Sequence, residues 1–271
     1  MLRQAAVAGQ FYNSDPLLLR RQILELTPEA TTRQALGIVS PHAGYIYSGA
    51  IAAETFARVA IPDRVVIIGP NHHGFGHPAA IYADGSWETP LGKVHVDADF
   101  AGRLLQRCPQ TGADSAAHRF EHSLEVQVPF LQVRNPGARI VPLCLGHLPL
   151  TELLEIGEGL ATLIAEDLHP TLIVVSSDMT HYEAGEIARG KDQLAIDCVL
   201  ALDPEGLYRT VRERRISMCG VLPTVVLLAA ARVLGATGAE LIRYGNSGDV
   251  TGDQQEVVGY AGLAIWPAAT S

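Results

Sequence analysis

No stretch of the 271 residues gathers Lys and Arg into a run, and 29 acidic against 20 basic residues leave a formal charge of -9. Binding to a phosphate backbone needs a basic footprint, so nucleic acid is excluded as a partner. No apolar run approaches the ~20 residues of a membrane span, and the opening MLRQAAVAGQFYNSDP lacks the apolar core of a signal peptide. A soluble, cytoplasmic protein with no membrane partner is expected. The four cysteines, Cys108, Cys144, Cys198 and Cys219, are scattered and form no C-x-x-C pair, which points to reduced thiols, mostly in the core. P-loop and G-x-S-x-G motifs are also missing. So are internal repeats, low-complexity tracts and Pro/Ser-rich linkers, and one α/β domain over residues 1–271 is the expectation.

With 48% hydrophobic and 18% charged residues the chain can bury a large core. Six apolar, β-branched runs stand out at 35–40, 64–69, 138–146, 171–177, 239–245 and 257–266. They lack polar alternation, as strands covered on both faces do. Helical spacing lies between them at 48–60, 150–168 and 219–235. The alternation predicts a mixed, largely parallel central sheet sandwiched by helices. Residues 81–97, with W-E-T-P-L-G between two strand-like runs, read as a hairpin.

Four of these runs end in polar clusters: IVS in PHAGY, VVII in GPNHH, LIVV in SSDMTH and LIRY in GNSGDVTGD. Open α/β sheets bind ligands outside the carboxyl ends of their strands, where strand-to-helix loops converge. His42, one of His72 and His73, Asp178, His181 and Asp249 are therefore expected to approach one another. Histidine with carboxylate and no thiolate pair is the donor set of a catalytic metal site with open positions. In GPNHHGFG the Gly and Pro residues would fix a turn that presents one imidazole, leaving the other at the surface.

Residues 117–130, AHRFEHSLEVQVPF, place His118 and His122, and Glu121 and Glu125, four apart. On a helix these are neighbouring stripes, and a solvated face accounts for His118 and Glu125. H-E-x-x-H is not matched, because position 119 is Arg. SGDVTGD (247–253) lacks the spacing of an EF-hand loop and reads as a turn. Cys219 opens an apolar helix without a neighbouring base in sequence and reads as a small buried hydrophobe.

PHAGYIYSG, GPNHHG, ETPLGKV, EHSLEVQVPFL, VVSSDMTHY, SMCGVLP and YGNSGDVTGD, in this order after AVAGQFY, resemble the prokaryotic members of the Memo family over about residues 6–266. The family's fold is similar to that of the class III extradiol-type, non-haem iron dioxygenases. The resemblance implies metal histidines at His42 and His72, an acid/base histidine at His181 beside Asp178, and a further pocket histidine at His122. Animal members place a cysteine near the metal, and the alignment set against it here puts Asp249 as the third ligand. That set would hold Fe(II) first, with Zn or Cu as alternatives. A small-molecule substrate or a peptide would occupy the metal cleft, and family association implies radical-SAM and AMMECR-type partners. Three readings follow: an Fe(II)-dependent oxidoreductase of extradiol type, a Zn-dependent hydrolase, or a non-catalytic scaffold for metal or peptide.

Overall fold

A computed structural model describes residues 1–268. The chain opens with strand β1 (Leu2–Arg3) and helix α1 (Pro16–Leu26), then alternates β2 (Gly37–Ser40), α2 (Tyr45–Ala57) and β3 (Arg64–Pro70). Short strands β4 (Ala79–Ile81), β5 (Ser86–Thr89) and β6 (Gly92–His95) lead to α3 (Ala98–Arg107) and β7 (Gly112–Ala113). After α4 (Val128–Arg134) come β8 (Arg139–Leu145), α5 (Leu150–Glu166), β9 (Thr171–Ser176), β10 (His181–Glu183), α6 (Gly185–Leu200), α7 (Pro204–Glu213) and α8 (Val221–Val233). Strand β11 (Ala236–Asn246), the short α9 (Gly248–Thr251) and β12 (Val257–Pro267) complete the described chain.

The result is an α/β fold with a large mixed sheet between helices. Among the described residues that sheet has nine strands, in the order β10-β12-β2-β9-β3-β8-β4-β7 with β11 on the outer side of β12. Strands β2, β9, β3 and β8 are parallel, while β12 runs antiparallel to both β2 and β11. The carboxyl ends of β2, β3, β9 and β11 therefore share one edge, as the polar clusters require.

Side chains alternate across the parallel strands, and both faces are apolar because both are covered. Val39, Val66, Ile68, Val141, Leu143, Ile173 and Val175 pack with α3, α5, α6, α7 and α8. Ile38, Val65, Ile67, Ile140, Leu172 and Val174 pack with α1, α2, α4 and the indole of Trp87. Helices α1 and α7 begin on Asp-Pro: Asp15 and Asp203 accept N-terminal backbone N–H groups, and Pro16 and Pro204 take the first helical position.

One local expectation is met and another changes. The hairpin within 81–97 forms between β5 and β6, yet it belongs to a separate three-stranded sheet with β1 rather than to the main one. Residues 117–124 do not form a helix with a solvated face; the first helical turn starts only at Glu125. His118 and Glu125 are fully buried. Polar contacts explain the difference: His118 Nε2 donates to the carbonyl of Ala80, and Glu125 meets Arg3 at 2.7 Å and accepts the backbone N–H groups of Ala6 and Val7.

Candidate metal centre

Three loops meet at the carboxyl edge. Pro41-His42-Ala43-Gly44 links β2 to α2, and the backbone N–H of His42 donates to Asp178 Oδ1 at 2.7 Å. After β3, Asn71 builds the turn that the Gly/Pro pattern predicts. Its Oδ1 accepts from Gly74 N, its Nδ2 donates to Phe75 O, and Gly74 takes the positive φ of +68° that glycine tolerates. The third loop, residues 114–124, crosses over the end of β3. Gly69 lies so close to Ser123 and Leu124 there that a Cβ atom would collide with both.

This crossing brings Glu121 and His122 to His72. The ligating nitrogens of His42, His72 and His122 all lie within 4.8 Å of one another. Their ring centroids are 5.3 Å (His42–His72), 5.4 Å (His42–His122) and 4.7 Å (His72–His122) apart. His42 is buried, His72 is open to solvent, and His122 lies between these extremes with Phe11 against its ring at 4.7 Å.

The hydrogen bonds behind the rings decide which nitrogens are free. Ser176 Oγ donates its one proton to Ser123 O at 2.6 Å, so it accepts from His42 Nδ1 at 2.9 Å and from Gln127 Nε2. His42 therefore carries its proton on Nδ1, and its Nε2 lone pair faces the Cys219 thiol at 3.4 Å. Glu121 does the same for His72: Oε1 accepts from Nδ1 at 2.9 Å and Oε2 from the backbone N–H at 2.6 Å. A carboxylate behind a histidine is the arrangement that orients metal-binding imidazoles. Burial alone would raise the Glu121 carboxyl, but the hydrogen bonds and charge of His72 and the N–H of Ser123 hold it well below the usual carboxylate range. Burial lowers the other two imidazoles. His122 falls to about 4, and His42 goes well below its ordinary value with His122 and His72 adding to the effect. Both are neutral at pH 7, with lone pairs available. These three residues could hold one metal ion.

Cys219 is the residue that the sequence argument set aside. It is half-buried rather than a core hydrophobe, and its Sγ lies 3.4 Å from His42 Nε2. The loop before α8 is drawn in at Gly220, where a Cβ would run into Ser176 and Ser177. Its signal in the sequence was the Cys-Gly pair itself, small enough to reach the end of β9. The same loop holds His181: Ser217 Oγ accepts the His181 N–H at 2.7 Å, and the Ser217 carbonyl accepts from His181 Nδ1 at 3.0 Å. His181 Nε2 is thereby left as the basic nitrogen. Tyr182, next in the chain, sits at φ 58° within a register shift of β10, which sets the direction of its neighbour.

Asp178 is 5% exposed and joins the β2 and β9 ends by holding His42 N. Burial pushes its carboxyl up, against the pull of the N–H groups of His42 and Ala43. Asp249 is not brought to the histidines. It is exposed on α9, where Oδ2 accepts the N–H of Asn246 at 2.9 Å. The reason is topological: β11 stands four strand spacings from β3, roughly 19 Å at ~4.8 Å each. His122, not Asp249, stands with His42 and His72 in the three-histidine cluster. His73 is exposed and bonded through Nε2 to Phe120 O, leaving the turn's other imidazole to face the cluster.

The sequence profile of the Memo-like protein family matches residues 3–264. The chain belongs to this family. Among curated relatives, a MEMO1 family protein of Methanopyrus kandleri is 42% identical over 280 residues, covering 98% of this chain and 99% of that one. A MEMO1 family protein of Aquifex aeolicus is 41% identical over 266 residues, covering 97% and 98%. Among solved structures, an uncharacterized protein of Escherichia coli K12 is similar with a TM-score of 0.54 at 16% identity, over 85% of this Memo-like chain and 99% of the other. That likeness concerns the fold. Among the described residues no helix is long and apolar enough to cross a membrane.

Proposed function

We propose that this Memo-like chain is a metal-dependent enzyme. His42, His72 and His122 hold one divalent metal, Fe(II) first, and His181 moves a proton for an oxidoreductase of extradiol type acting on a small molecule. The observation that carries the reading is the convergence of three imidazoles whose Nδ1 atoms are engaged from behind or turned toward Glu121. Three imidazole donors suit Zn, Cu, Fe or Ni and leave positions open, unlike the closed four-ligand set of a structural site. When bound, the metal would supply Lewis acidity and, if iron, redox chemistry toward O₂.

The chain's own groups do the rest. Glu121 and Ser176 fix the ring orientations. His181, its Nδ1 proton committed to Ser217 O, offers Nε2 to a substrate hydroxyl. Asp178 fixes the first turn of the His42 loop. Phe11 packs on the outer ring, His122, and walls one side.

One observation favours a second reading. No carboxylate belongs to the cluster, and the Cys219 thiol stands beside His42 Nε2. A neutral nitrogen set with a nearby sulfur suits Zn(II) or copper, hence a hydrolase or a metal-holding protein. Metal analysis of protein purified without oxygen or chelator, followed by oxygen uptake across a catechol panel, separates the two. Iron-loaded protein should consume oxygen, and His181→Ala should lose roughly 10²–10⁴-fold in turnover while keeping its metal. Iron-loaded protein that takes up no oxygen with any substrate supports the second reading.

A further inference from the structure

Arg3 lies in β1, far from the histidines in sequence, and is 5% exposed. Its guanidinium is turned toward the loop that carries Glu121 and His122. Nε donates to His118 O at 2.6 Å and Nη2 to Glu121 O at 2.6 Å. Nη1 donates to Glu125 Oε2 at 2.7 Å, and the guanidinium lies over the Trp87 indole, 4.2 Å from the ring centroid. One planar fork thus ties both ends of the His118–Glu125 stretch to the N-terminal strand. Within that stretch residues 118–122 have no helix of their own to fix them.

The carbonyl held by Nη2 belongs to the residue whose carboxylate orients His72. The next residue in the chain is His122. We propose that Arg3 is a positioning residue of the metal centre, and that the N-terminal segment and the metal loop order one another. The inference rests on the metal reading above. Lysine keeps the charge, but it lacks the fork that reaches three acceptors in fixed directions. Support of this kind behind metal ligands is worth 10–100-fold in affinity. Coupling is also reciprocal: metal that orders the loop must steady the segment the loop is tied to.

Co(II) serves as the probe, because its visible absorption reports both binding and coordination geometry. Arg3→Lys should bind Co(II) roughly 10–100-fold more weakly than wild type, with an altered spectrum. The pair Arg3→Met/Glu125→Gln removes both buried charges together, so it should lose less stability than Glu125→Gln alone, which leaves the guanidinium buried and unpaired, while Co(II) affinity falls by the same factor. A third readout needs no variant. The Ala6 and Val7 amides, bonded to Glu125, should exchange hydrogen more slowly once Co(II) is bound to wild type. Co(II) affinities within twofold of wild type in both variants, or Ala6 and Val7 exchange that Co(II) leaves unchanged, would overturn the inference alone. Wild type that binds no Co(II) would overturn the metal reading and this inference with it.

Discussion

Glu121 and Glu125 are four residues apart, almost wholly buried, and each is met by a cationic or histidine partner. Glu121 faces outward along the strand ends and takes the His72 ring and the N–H groups of His72 and Ser123. Glu125 faces inward and takes Arg3, the N–H groups of Ala6 and Val7, and the Tyr12 hydroxyl. One carboxylate prepares a site and its neighbour closes the fold. Burial does not distinguish them; the partners do.

Glu125→Gln should break the comparison most strongly. It leaves Arg3 buried without its counter-charge, and losses of about 3–5 kcal/mol are typical when one partner of such a pair is removed. Denaturant unfolding measures it, and Co(II) binding by the surviving folded fraction should change less than stability does. Glu121→Gln should show the reverse order. Metal affinity should fall roughly 10–100-fold in a calorimetric titration, with a smaller loss of stability.

Acid should sharpen the contrast. His118 and His122 are pushed down to about 4 by burial, and His42 is lowered as well. The unfolded chain takes up protons on these groups near pH 6.5 while the folded chain does not, so metal-free stability should fall as pH drops from about 6.5 toward 4. Asp178 and Asp192, whose carboxyls burial raises, bind protons more readily when folded and oppose part of that fall. Bound metal should raise stability near pH 7 and steepen the fall, because it keeps protons off the folded chain's imidazoles while the unfolded chain still takes them up. Thermal melts between pH 4 and 7, with and without metal, check the sign.

The smallest effect is expected at Asp249. Its carboxylate serves one exposed turn, so Asp249→Ala should cost about 1 kcal/mol in unfolding and leave metal affinity unchanged. A drop in affinity comparable to that of His72→Ala would put Asp249 back among the ligands.

All six strand-like runs and the three helical spacings were legible; five of the strands are covered on both faces and read as continuous apolar stretches, while β11, outside β12, is mostly half-buried. The starts of α1 and α7 were present too, as Asp15-Pro16 and Asp203-Pro204, although their amphipathic runs are shorter and more polar. His42 and the His72-His73 pair could be placed because each follows a parallel strand, and the family resemblance singled out His72 within the pair. His122 and Cys219 could not be given their places from spacing. Both sit on irregular loops whose path is set by close backbone approach at Gly69 and Gly220. The four-residue spacing of His118, Glu121, His122 and Glu125 imitates a helix face. The buried Arg3 fork that displaces the helix lies more than 100 residues away in the chain. Asp249 lies at the same edge but after the outer strand, apart from the three-histidine cluster.

The most direct test is anomalous diffraction from crystals loaded with Fe(II) or Zn(II). A single strong peak is expected, bonded to the Nε2 atoms of His42 and His72 and to a ring nitrogen of His122, at about 2.0–2.1 Å for zinc. A peak at Asp249, or histidines that stay apart around no metal at saturating concentration, would contradict it.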